Sequence, residues 1–148
     1  MIGFPWAHAA YCIGGAFANT NAGFRQGLDF SLMPIPLLTW SQYGGSQNPY
    51  GSTGHGYFAG ASGVLGFGHT PGYLALDVGR GMDGIIGAFA GTGIVHRFSS
   101  SRMASGNGLE FRANFDVLLV QIGVRILVVG IDGPWENMIL GTLGLGRF

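Results

Sequence analysis

FDVLLVQIGVRILVVGID, residues 115–132, is the stretch on which the fold turns. Leu118, Val120, Ile122, Val124, Ile126 and Val128 fall at every second position and make one continuous apolar face, while Gln121, Gly123 and Arg125 fall on the other. A period of two belongs to a β-strand, whose successive side chains point to opposite sides of the sheet. The stretch reads as a hairpin of central strands, buried on at least one side. A turn near Ile122–Gly123 would break the parity of the faces, which leaves the register open.

Working outward, the same period recurs. In FRQGLDFSLM, Phe24, Gln26, Leu28, Phe30 and Leu32 share one face, and Arg25, Gly27, Asp29, Ser31 and Met33 the other. The Pro-Ile-Pro run at 34–36 is expected to end that strand, because proline cannot donate to a ladder. Further strands are expected at Tyr73–Val78, Ile85–Phe89, Ile94–Phe98 and Ile139–Leu145. The count comes to seven to nine short strands and no helix, since each helical period is interrupted by glycine. Residues 41–63 read as a long loop rich in Gly and Tyr, of the kind that carries function when ordered. Gly-rich turns between short apolar runs suit an all-β sandwich or barrel.

Composition bounds the rest. The chain has 148 residues, the length of one domain, and only 9% of them are charged. Arginines balance acids, so nothing recommends a nucleic-acid partner. Its 29 glycines follow no Gly-X-Y period, which excludes collagen. The longest apolar run, 117–131, is interrupted by Gln121 and Arg125 and is too short for a membrane-spanning helix. A soluble protein with no membrane span is the resulting expectation. The single Cys12 leaves the redox compartment open. The phosphate loop, a strand–GxGxxG–helix unit with a following acid, CxxC, HExxH and GxSxG opening a helix are all absent from the sequence. With two glutamates, the chain holds no closely spaced set of acids like those of sandwich glycosidases.

Three segments carry a resemblance. GLDFSLMP (27–34), GASGVLGFG with GYLALDV (60–68 and 72–78) and NFDVLLVQIGVRILV (114–128) resemble, in order, motifs of the L-type (legume-type) lectins and their bacterial relatives. The resemblance implies a concanavalin A-like antiparallel β-sandwich, or jelly roll, spanning 1–148 as one domain, in a truncated form. It implies a glycan bound at edge loops by Gln26, Gly60, Gly63, Tyr57 and His55, and calcium held by Asp77 and Asp83. In this sequence Gln26 stands where the family has an acid, and Gly79 where it has a metal-binding Asp. A binding protein without catalysis, oligomeric, and extracellular or at a virion surface, is the expected function. The alternatives are a structural assembly protein of phage tail or capsid type, favoured by the high apolar content, and a sandwich glycoside hydrolase.

Overall fold

The computed structural model describes residues 6–17, 23–41, 54–83, 86–100, 104–130 and 136–146. Eight strands run in order: β1 (Trp6–Phe17), β2 (Gly23–Ser41), β3 (Gly54–Gly66), β4 (Tyr73–Asp83), β5 (Ile86–Arg97), β6 (Gly106–Val117), β7 (Val120–Val129) and β8 (Glu136–Gly146). Each pairs antiparallel with the next, and β8 pairs back onto β1. The sheet is a closed barrel. This overturns the open sandwich: a sandwich divides its strands between two facing sheets, whereas here every strand pairs with the next in one unbroken ladder that closes where His8 pairs with Gly146 and Phe17 with Asn137.

Closure fixes the tilt. A ring traced through paired residues from Ala7 passes Leu32, Ala61, Leu76, Ile94, Leu109, Val128 and Asn137 and returns to β1 at Phe17, ten residues further on. A stagger of that size on eight strands tilts them about 40° from the barrel axis and leaves an interior that side chains can fill. Trp6, Ser41, Gly54, Asp83, Ile86, Val117, Val120 and Gly146 bound their strands at one end of the barrel, called the lower end here. Phe17, Gly23, Gly66, Tyr73, Arg97, Gly106, Val129 and Glu136 bound theirs at the other, the upper end.

Three local expectations are corrected. β2 does not stop at Pro34 but runs on to Ser41, with register shifts against β3 between Leu32 and Ile35 and between Pro36 and Leu38. The described part of β1 begins opposite Met33, so beyond it β2 has no neighbour on that side among the described residues, and bulges are where a strand accepts proline. The expected loop 41–63 is strand from Gly54 onward, while 42–53 lies outside the described residues. The hairpin turn falls at Leu118–Leu119 rather than Ile122–Gly123, so β7 keeps its parity from Val120 to Val129.

That parity decides what faces where. Gln121, Arg125, Leu127 and Val129 point inward, and Val120, Ile122, Val124 and Ile126 point outward and are exposed. The interior of this protein is its polar side. Among the described residues sixteen buried ones are polar or charged and thirteen apolar, while twenty-nine large apolar side chains are exposed.

Candidate functional site

The interior is built in layers. Toward the upper end, Cys12, Val64, Ala75, Val95, Leu127 and Leu140 form an apolar layer. Above it Glu136 accepts from Arg97 Nη1 at 2.7 Å and from Arg25 Nη2 at 3.2 Å. Below it lies a charged cluster. Arg125 donates through Nε and Nη2 to the two oxygens of Asp29, both at 3.0 Å, and through Nη1 to Glu110 Oε2 at 2.7 Å. His8 Nε2 stands 3.0 Å from Asp29 Oδ1. The Ser62 hydroxyl donates to Asp77 and lies 3.1 Å from Glu110 Oε1. Arg112 sits 3.5 Å from Asp77 Oδ2 and packs its guanidinium 4.8 Å from the ring centre of Phe89. Ion pairs so fully removed from water persist only when each charge meets its opposite in good geometry.

Inward glycines make this crowding feasible. A Cβ on Gly93 would strike Asp77 Oδ1 and the Leu76 carbonyl, one on Gly123 would strike Asn114 Oδ1, and one on Gly87 would strike Asp116. At these three positions glycine makes room for a polar or charged side chain of the adjoining strand.

The outer wall is the opposite in character. Leu76, Ile94, Leu143 and Leu145 are each more than 60% exposed, and Phe111, Ile122 and Ile139 continue the surface around the barrel. All five carboxylates with described side chains, Asp29, Asp77, Glu110, Asp116 and Glu136, are buried inside. Apart from Thr92, midway along β5, the outward polar residues with described side chains lie toward the rims. Gln26, His96, Asn107 and Asn137 lie near the upper end, and Arg80 with Tyr57 near the lower. Exposed Phe24 sits at the upper end of β2, Phe67 and Phe98 just past the upper ends of β3 and β5, and Tyr57 and Phe115 toward the lower end. The outer wall is thus an apolar band with aromatic side chains at both rims.

The residues singled out from sequence do not meet in one place. Gln26 faces outward near the upper end, where Tyr11 Oη donates to its Oε1 at 2.7 Å and Thr70 Oγ1 accepts from its backbone N–H at 3.1 Å. Tyr57 and His55 are near the lower end of β3, and the His55 side chain lies outside the described residues. Gly60 faces inward opposite Asp77, while Gly63 faces outward beneath the Phe30 ring. Asp77 is committed to Ser62 and Arg112 inside the barrel. Asp83 lies six residues further along β4, roughly 20 Å away at strand spacing, so the two acids do not share one site. Among the described residues no group of three or more His, Cys, Asp and Glu side chains is placed to hold a metal ion. The residues that dominate the interior, Arg125, Glu110, Asp29 and Arg112, went unread. Their signal was present in part: Arg25 and Asp29 share a face with Gly27, and Arg125 shares one with Gln121 and Gly123.

No protein-family model matches the sequence, and no curated protein matches it. Solved structures with a similar course include Ail, the attachment invasion locus protein of Yersinia pestis, solved with the heparin analogue sucrose octasulfate. It shows 12% identity over 99% of both chains and a TM-score of 0.49. Another is the outer membrane enzyme PagL, with 16% identity over 95% of this chain and 98% of that one and a TM-score of 0.39. The case for a barrel rests on this chain's own strand pairing. That pairing removes the lectin resemblance, and with it the bound glycan and the sandwich-based alternatives of phage assembly protein and glycoside hydrolase. The same wall overturns the expectation of a protein with no membrane span. No helix of the described residues is long and apolar enough to cross a membrane, a fact without bearing on strands.

Proposed function

We propose that this chain is a membrane-embedded β-barrel of outer-membrane type, a closed-interior scaffold rather than an open pore. One observation carries the reading: the large apolar side chains line the outer wall while the described carboxylates are buried within. In water such a wall would be an aggregation surface far beyond the few hundred Å² tolerated by monomers. In hydrocarbon it is the favourable surface, and closure leaves no unpaired strand edge facing lipid. Strands of ten to thirteen residues, apart from the bulged β2, match the nine to eleven tilted residues that span a bilayer. The apolar layer of Leu127, Leu140, Val64 and Val95 closes the lumen and supports a scaffold over a channel.

The test is folding. Chain unfolded in urea and diluted into phosphatidylcholine vesicles should acquire β-sheet circular dichroism, resistance to trypsin and a heat-dependent shift in electrophoretic mobility. Planar bilayers containing it should show no steady conductance. A monomeric, folded chain in buffer free of detergent and lipid would end the membrane reading, and stable single-channel steps would end the closed-interior part.

A further inference from the structure

The outer wall is not evenly ridged. On β3 the outward residues Ala59 and Ala61 are small, and bulky neighbours flank them, Leu32 and Ile35 on β2 and Leu76 and Val78 on β4. The result is a recess of about 710 Å³ that reaches across to Thr92 and Ile94. A second recess of about 370 Å³ adjoins it across the row Leu76–Ile94–Leu109 and continues toward the upper end. His96 and Asn107 stand at its top, joined at 2.8 Å between His96 Nδ1 and Asn107 Oδ1, with the Phe98 ring edge-on to the imidazole. Both volumes fall in the range of small-ligand sites. The two recesses form one apolar track with a polar pair at the end nearest the rim.

We propose that this track holds the acyl chain of one membrane lipid, with the lipid's ester region against His96 and Asn107. The inference rests on the membrane reading, which itself narrows the occupant. A recess in a lipid-facing wall is continuous with the hydrocarbon, so a fatty chain is the molecule at hand. Burial from water supplies no drive between apolar groups already in lipid; close dispersion contact does, and an unfilled recess forfeits it. A chain lying along Ala59 and Ala61 gains contacts from both flanking ridges that a flat wall cannot give. The polar pair sits level with Gln26 and Asn137, the depth at which a lipid's ester oxygens begin.

Native mass spectrometry of barrel released from palmitoyl-oleoyl phosphatidylethanolamine bilayers reads the occupant directly. The wild-type chain should retain one lipid. The double variant Ala59→Leu/Ala61→Leu, which fills the track, should lose most of it, and Ile122→Phe on the far wall should not. With ether-linked analogue bilayers, or with His96→Leu/Asn107→Leu, retention should fall while insertion is unchanged. Equal retention by the filled variant, or none by the wild type, overturns the proposal. A two-chain mass abolished by Ala59→Leu/Ala61→Leu would instead assign the track to a second copy. Trypsin resistance and the heat-dependent mobility shift are recorded on the same samples. A barrel that inserts without holding lipid therefore sinks this inference alone, and one that never inserts sinks both.

Discussion

Arg125 is held through three nitrogens, two on Asp29 and one on Glu110, and is 1% exposed. Replacing it with methionine keeps the volume and strands two carboxylates in the lumen. A barrel carrying Arg125→Met should lose about 3–5 kcal/mol of stability in urea titrations in vesicles, the typical cost of breaking a buried pair from one side. Arg125→Lys, which keeps the charge but not the planar fork, should lose less. A methionine variant as stable as the wild type would make the cluster incidental. Glycines divide on the same logic. Gly93→Ala pushes a methyl group into Asp77, which Ser62 and Arg112 already hold, and should cost about 1–3 kcal/mol as an overpacked site. At Gly141, whose outward Cβ would meet nothing nearer than the Ile13 carbonyl at 3.7 Å, the same change should be neutral within the error of the titration.

Among elements, the β6–β7 hairpin shows where local chemistry yields to register. Its turn places Leu118 at φ 59°, a left-handed conformation that costs a leucine roughly 1–2 kcal/mol. Leu118→Gly should recover part of that, read as a higher urea midpoint with an unchanged m-value; a lower midpoint would mean that the contacts of the leucine side chain outweigh the strain. A glycine stood nearby at 123, and turn chemistry alone favours it. Yet Gly123 is needed inside, where Asn114 and Thr142 crowd over it, and a turn there would leave strands too short to cross the band. The alternation of faces was therefore legible in the sequence, as was the all-β character of the described residues. Pro34 and Pro36 misled for a related reason: the stop rule assumes an unbroken ladder, and β2 passes both prolines through shifts of its register against β3.

For the whole molecule, the unread quantity was which face is inside. A period-two pattern is unchanged by turning the sheet inside out, and the rule that apolar faces seek the interior holds only when water is the solvent. The candidate site was lost with it: Asp77 looked like an edge ligand because it was placed on a sandwich rim, and on the barrel it is a lumen charge opposite Gly60. Arginine scanning turns this into a measurement of the solvent around the barrel. Val124 faces outward on β7 between Ala113 and Gly141, midway along the wall, and Asn137 faces outward at the upper rim. On a protein in water, Val124→Arg exchanges an exposed apolar group for a charge at little cost. On a barrel in lipid it should cost about 2–4 kcal/mol, and Asn137→Arg about 0–1, the depth dependence of a bilayer. The ratio discriminates even if both variants are slightly destabilised by strand packing, because packing has no reason to follow height on the wall. Equal costs at the two positions would place both in water, and the apolar wall would then need a different covering from lipid.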